Sequence, residues 1–375
     1  MKHYTFLNLE TINNRYNQAI KEAVSRVIDS GTYIGGPEID SFEQNLSAIC
    51  GAPHCIGVST GLDAIRLILR GYTELGVMAH GDEVIVPANT FIASVLAITE
   101  NKLTPVFVDP NPLTHNIDSA AIEAAITPRT RAIMPVHLYG RIAWDENMAS
   151  IAKKHNLKVI EDNAQALGAT SLHEGLYGTH SAGSLGDAAA ISFYPTKNIG
   201  AMGDAGAIAT HDKDLAQVVA ALRNYGYTKQ YHCDYTGLNC RLDPIQAAII
   251  NVKLPYLNEE NKYRQEIADI YELEINNNAI IKPLKRINNE VVWYQYVIRT
   301  ANRNHYRDFM LKNGVETSIH YPIPPHKQQC YSQYNHISLP IAEQICDEIV
   351  SLPITRCTSL DDAHDIASII NGYKQ

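Results

Sequence analysis

The most constraining feature of this chain is a series of short, largely apolar runs spaced between helical patterns. They fall at 54–58, 83–87, 106–108, 132–136, 158–160, 188–191 and 207–209. A strand with one wet face alternates polar and apolar residues. A strand covered on both faces reads as a continuous apolar run. Between the first two runs, Leu62, Ile65, Ile68 and Leu69 fall on one face of a helix expected over 61–72, and a second helix is expected over 91–100. Asp109-Pro110-Asn111-Pro112 is a turn, and Asp118 is positioned to cap a helix running to 125. Strands that alternate with helices in this way predict an α/β fold: a largely parallel sheet covered by helices on both faces.

The pattern changes after residue 243. A helical stretch runs to about 275, with Pro255 expected to kink or break it. Beyond it come a half-exposed strand over 291–298 and helices over 306–312, 342–350 and 361–370. The chain of 375 residues therefore divides into a large unit, 1–250, and a smaller α+β unit, 251–375. No internal repeat or low-complexity segment interrupts either.

Composition excludes some function classes. A net charge of −9 argues against nucleic acid as a partner. No apolar run approaches the roughly 20 residues of a membrane span, and residues 1–6 lack the apolar stretch of a signal peptide. The seven cysteines are scattered, as expected of a reducing cytoplasm. His232, Cys233 and Cys240 lie close together but match no zinc spacing, so no metal is expected.

Lys197 follows the apolar run 188–191 and precedes a glycine-dense turn, 200–206, where backbone can pass close to a ligand. Asp162 closes the run 158–160. A lysine and a carboxylate at the ends of buried strands are the two polar groups that pyridoxal 5′-phosphate requires: one forms the Schiff base, the other holds the ring nitrogen protonated. The plain alternatives are a surface lysine and a helix-capping aspartate. Gln165 is within reach of the cofactor's 3′ oxygen, or is a solvated amide. Thr60, Gly61 and Leu62 lie where a strand meets a helix, the place for a phosphate, or simply form a capped helix start. Ser192 adds a hydroxyl, and Phe91 is either a ring-stacking residue or core. The spacing Gly200-x-x-Gly203-x-x-Gly206 lacks the strand–Gly-x-Gly–helix order of a dinucleotide site, which disfavours a nicotinamide-dependent nucleotide-sugar oxidoreductase.

Several segments together resemble the DegT/DnrJ-type nucleotide-sugar aminotransferases, a branch of the aspartate aminotransferase fold (fold type I pyridoxal phosphate enzymes). They are Gly-Asp-Glu-Val-Ile-Val-Pro-Ala-Asn-Thr-Phe (81–91), Pro-Val-His-Leu-Tyr-Gly (135–140), Glu-Asp-Asn-Ala-Gln-Ala (161–166), Ser-Phe-Tyr-Pro-Thr-Lys-Asn (192–198) and Gly-Leu-Asn-Cys-Arg-Leu-Asp-Pro-Ile-Gln-Ala-Ala (237–248). The resemblance covers almost the whole chain. It implies an αβα sandwich with a small C-terminal domain. Lys197 becomes the Schiff-base lysine, Asp162 the partner of the ring nitrogen, Gln165 a neighbour of the 3′ oxygen and Phe91 the stacking ring. Thr60, Gly61, Leu62 and Ser192 become phosphate ligands.

Asn239 matches the asparagine that reaches the phosphate from a second subunit, which implies a homodimer. Gly61 to Ala64, 87–94 and 320–326 look most like enzymes that aminate carbon 3 of dTDP-3-keto-6-deoxyhexoses with L-glutamate as donor. An enzyme for 4-keto nucleotide sugars is the alternative. Tyr33, Gly35, Tyr225, His320 and Tyr321 are the candidates for sugar contacts. A sugar dehydratase on the same fold would carry His in place of Lys197. The chain departs from the family pattern at Asn163, Leu167 and Ala205.

Overall fold

The computed structural model describes residues 2–375. Three helices come first: α1 (Leu9–Asn14), α2 (Asn17–Ser30) and α3 (Pro37–Cys50). The alternating region follows as β1 (His54–Val58), α4 (Gly61–Glu74), β2 (Glu83–Pro87), α5 (Ile92–Glu100), β3 (Thr104–Val108), α6 (Ser119–Ile122), β4 (Thr130–Ile133), α7 (Glu146–His155) and β5 (Lys158–Asp162). Then come β6 (Ala188–Ser192), β7 (Gly206–Thr210), α8 (Lys213–Leu222), the small hairpin β8 (Tyr227–Lys229) and β9 (His232–Cys233), α9 (Pro244–Lys253) and α10 (Leu257–Glu274). The chain closes with β10 (Tyr296–Arg299), α11 (Arg303–Lys312), α12 (Pro340–Glu348), β11 (Ile349–Leu352) and α13 (Leu360–Asn371).

The central sheet has seven strands in the order β1-β7-β6-β5-β4-β2-β3. All neighbours are parallel except that β7 runs antiparallel to both β1 and β6. Alternate residues feed opposite cores. Ile160, Ala188, Ala190 and Ile208 pack with Ile65, Ile68 and Leu69 of α4, Val95 of α5 and Val219 of α8. Ala189, Ile191, Ala207 and Ala209 pack with Phe42 and Leu46 of α3 and Ile250 of α9, while Ile85, Ile133 and Val159 pack with Met148 and Ile151 of α7. Burial on both faces is why the middles of these strands are apolar, with polar residues at their ends.

A further cluster joins α10, α11 and α13 to Tyr296, Ile298, Val350 and Leu352, and takes in Tyr4 from the other end of the chain. The β-bridge of Tyr4 with Val315 ties that segment in. Pro255 lies in a single tight turn, Leu254–Tyr256, between α9 and α10, so the expected break is present.

Some expectations shift. The strand expected over 291–298 is reduced to β10, because Trp293 adopts a left-handed backbone and interrupts the extended run. The helix expected to reach 350 stops at Glu348. Ile349 and Val350 are β-branched and pair as β11 with β10 instead. The expected strand 132–136 begins earlier and ends at Ile133. Among the described residues no helix is long and apolar enough to cross a membrane, and no cluster of His, Cys, Asp or Glu is arranged to hold a metal.

Gly206 opens β7 between the ends of β1 and β6, facing Val58 and Ser192. A Cβ there would lie 2.3 Å from the carbonyl carbon and oxygen of Thr60, both backbone atoms that cannot swing away. Gly206→Ala should therefore cost about 3 kcal/mol, as for other overpacking changes, read as a lower urea-unfolding midpoint. An unchanged midpoint would mean that the β1–α4 turn moves freely.

Candidate active site

Because β1, β2, β5 and β6 run in the same direction, their carboxyl ends share one edge of the sheet. That edge is the ordinary place for a ligand in an open α/β sheet. Thr60 follows β1 as the N-cap of α4, its hydroxyl accepting from Asp63 N. The N–H groups of Gly61 and Leu62 lie in the first turn, where a helix has no internal partner for them. A Cβ on Gly61 would come within 2.7 Å of Ser192 Cβ, so glycine lets the helix start press against the end of β6. The first turn of α4 and the Ser192 hydroxyl thus meet at one point.

Asp162 ends β5 on the same face as Ile160, the face that α5 covers. Ser94 of α5 donates to Asp162 Oδ2 at 2.7 Å, and Thr90 and Ser94 share a 2.8 Å hydroxyl bond. Ala164 N donates to Oδ1 at 3.2 Å. The preceding residue faces the other way. Glu161 accepts from the N–H groups of Gly183, Leu185 and Gly186 at 2.8–2.9 Å. It also pairs with His137 Nε2 at 2.8 Å, both side chains being fully buried. His137 Nδ1 accepts from Ala143 N, so Nε2 carries the proton that goes to Glu161.

Lys197 sits in the loop after β6. Its Nζ lies 4.3 Å from the centre of the Tyr294 ring, and the Tyr294 hydroxyl is 3.2 Å from Thr196 Oγ1. Burial raises the Tyr294 phenol, but Lys197 and the bond with Thr196 together bring it below its ordinary value. Asn198 braces the loop against Asn261 at 2.7 Å. On the opposite side, the Phe91 ring stands 5.0 Å from that of Tyr321. Gln165 holds Tyr139 N through Oε1 at 2.7 Å and reaches the Tyr321 hydroxyl through Nε2 at 3.4 Å. Burial pushes the Tyr321 hydroxyl up, so it stays a phenol. His320 is bonded to Ser351 through Nδ1 at 2.8 Å. Burial, reinforced by Lys197, lowers its imidazole to about 4.

The chain itself therefore gathers Lys197, Tyr321, Gln165, Phe91, Asp162 and His320 around one edge, with Thr60, Gly61, Leu62 and Ser192 beside them. The remaining candidates lie apart. Tyr33 is 55% exposed and donates only to Ile28 O, and Gly35 takes a left-handed turn next to it. Tyr225 is 44% exposed beneath the Arg241 guanidinium. Asn239 is exposed in the strip bridging to Asn224. No hydrogen bond or ring contact among the described residues joins these to Lys197. Sequence reasoning missed Ser94, Glu161, His137 and Tyr294. The one local signal available was the run of hydroxyls through Thr90 and Ser94.

The residues fit pyridoxal phosphate. The first-turn N–H groups and a serine hydroxyl suit a phosphate. A buried carboxylate with one oxygen held by Ser94 suits a ring nitrogen, and the exposed face of Phe91, 47% accessible, suits a planar ring.

Comparisons with known proteins bear on the family and the fold. The DegT/DnrJ/EryC1/StrS aminotransferase family matches residues 14–371. The chain is 49% identical, over 98% of its length and 99% of the relative's, to a dTDP-3-amino-3,6-dideoxy-alpha-D-galactopyranose transaminase of Aneurinibacillus thermoaerophilus. It is 39% identical to a dTDP-3-amino-3,4,6-trideoxy-alpha-D-glucose transaminase of Streptomyces venezuelae, over 93% and 90% of the two chains. In three dimensions it matches S. venezuelae DesV, solved in complex with a ketimine intermediate, with a TM-score of 0.92, 37% identity and coverage of 99% and 98%.

Two outcomes follow from this geometry. Ser94→Ala removes a hydrogen bond to a charged group, worth about 1.5–3 kcal/mol. It should slow turnover by on the order of tenfold or more; turnover at the native rate would show that Asp162 needs no brace. For His320, the unfolded imidazole takes a proton near 6.5 and the folded one near 4. Its contribution to stability is complete above 6.5 and is lost as the pH falls through that window. Unfolding free energy measured against pH should decline less steeply there in His320→Gln than in the native protein.

Proposed function

From the premise that the chain belongs to the DegT/DnrJ/EryC1/StrS aminotransferase family, we propose that it moves an amino group from L-glutamate to a dTDP-linked 3-keto-6-deoxyhexose. The product is a dTDP-3-amino-3,6-dideoxyhexose. The observation that carries the reading is Lys197 and the buried, serine-braced Asp162 at the ends of neighbouring parallel strands, in a chain alike over its full length to a transaminase of that product class.

Bound pyridoxal phosphate supplies a ring that accepts the electron pair left when the donor loses its α proton. The chain's residues do the rest. Lys197 Nζ would hold the cofactor and, as a free amine, would take the donor's α proton and give one back. Asp162 keeps a proton on the nitrogen it faces, since a fixed carboxylate favours the charged partner. Phe91 would offer its exposed face to the ring, and Gln165 would serve the 3′ oxygen. The N–H groups of Gly61 and Leu62, with the hydroxyls of Thr60 and Ser192, bind the phosphate. The same residues then aminate the keto-sugar in the reverse sense, so the kinetics are ping-pong.

Asn239 completes the phosphate site of a second copy in a homodimer. Tyr33, Gly35, Tyr225, His320 and Tyr321 contact the sugar nucleotide. The enzyme works in the cytoplasm without a metal, and residues 251–375 form the small domain against a large domain of 1–250.

Lys197→Ala should lose both turnover and the cofactor that borohydride fixes to the native protein. A variant that still transaminates would rule out this lysine. Native enzyme given glutamate and a panel of 3-keto and 4-keto sugar nucleotides should release 2-oxoglutarate with the dTDP-3-keto sugar. Release with 4-keto sugars alone would reassign the carbon.

A further inference from the structure

We propose that Tyr294 is a further catalytic residue, its ring face holding the Lys197 amine in the charged form that it takes between accepting a proton and returning it. The inference rests on the reading of Lys197 given above. As the donor's α C–H bond breaks, the proton forms a new bond to the uncharged Nζ and the electron pair goes to the cofactor. The resulting ammonium then returns a proton to carbon and becomes an amine again. Between those two events it needs a partner that will not keep the proton.

The geometry provides one. Nζ stands 4.3 Å from the ring centre, inside the ~6 Å range over which an aromatic face attracts an ammonium. Tyr294 is 5% exposed, so little water screens the attraction. The ring is held in place. Its hydroxyl meets Thr196, the residue next to Lys197, so ring and amine belong to one braced unit. Its backbone passes Gly140 so closely that a Cβ on that glycine would lie 2.8 Å from Tyr294 N. Arg264, buried in the small core, donates to Tyr294 O at 3.3 Å. An aromatic face holds an ammonium more weakly than a carboxylate does. It therefore steadies the charge without making the proton hard to release. The other titratable or charged groups facing this pair are His320, Tyr321 and Arg264, with Asp162 beyond Tyr321, and the test leaves all of them unchanged.

The test compares Tyr294→Phe, which keeps the face, with Tyr294→Leu, which removes it. A third protein carries pentafluorophenylalanine at 294, which keeps the shape and reverses the charge distribution of the face. In cofactor-free protein, the pH midpoint for reductive methylation of Lys197 by formaldehyde with cyanoborohydride, mapped by mass spectrometry, should fall by about half a unit in the leucine and pentafluoro proteins relative to Tyr294→Phe. The direction follows because losing the face disfavours the charged amine. With pyridoxal phosphate bound, the glutamate half-reaction should be about tenfold slower in those two than in Tyr294→Phe. It should also show a larger isotope effect with α-deuterated glutamate and an unchanged KM. Equal midpoints and equal isotope effects in all three proteins would overturn the proposal, while a borohydride label still on Lys197 would leave the transaminase reading standing. A label on another lysine would overturn both.

Discussion

The parallel pairing of β5 with β6 sets the relation between the carboxylate and the amine on which the proposed chemistry depends. Ile160, Glu161 and Asp162 lie opposite Ala188, Ala189 and Ala190, and the chain leaves β6 at Ser192 to reach Lys197 five residues on. A slip of one residue in this register would turn Glu161 toward the site and Asp162 away from it, because side chains alternate with a period of two. Glu161 resists that slip. Its carboxylate is saturated by three backbone N–H groups and His137 in a fully buried setting, and exposing those donors unpaired is costly. The acid turned away from the site fixes the acid that faces it.

The same edge depends on small residues. Ala188 and Ala190 let α4 approach β6 closely, and Gly61 and Gly206 let the start of that helix touch the strand ends. Two oriented N–H groups are thus brought beside Ser192 without any charged side chain. A helix start of this kind binds a phosphate through backbone dipoles that are already oriented, so little reorganisation is needed on binding. The overall charge of −9 is no obstacle, since the local field of the helix start decides.

Much of this was legible in the sequence because burial on both faces leaves an unmistakable apolar run. Most strand positions in the central sheet followed directly, β4 being the one that shifted. The direction of β7 did not follow from its composition. Its antiparallel sense reflects the connection from β6, residues 193–205, which holds no helix to carry the chain back over the sheet. The braces were illegible for a different reason. Ser94 meets Asp162 across 68 positions, and Thr196 meets Tyr294 across 98. No local period connects residues so far apart. Tyr294 is hidden further because it lies in a stretch that alternates like a strand while Trp293 beside it bends the backbone.

The residues that the chain leaves outside its own site share a physical character. Tyr225 holds a left-handed backbone, with φ of 59°, a conformation that costs a tyrosine on the order of 1 kcal/mol or more. Gly35 and Gly36 turn the chain so that Tyr33 and Ile34 both face outward. Nothing within the chain repays such exposure of aromatic surface, and Phe91 adds to it beside Tyr321. These turns and Asn239 are the surface that the proposed homodimer would set against the neighbouring Lys197 edge. The division is then sensible. Each chain builds its acid, amine and phosphate cradle from rigid strand ends, where register guarantees the geometry. It leaves its exposed aromatic turns outside that edge, on a surface of their own.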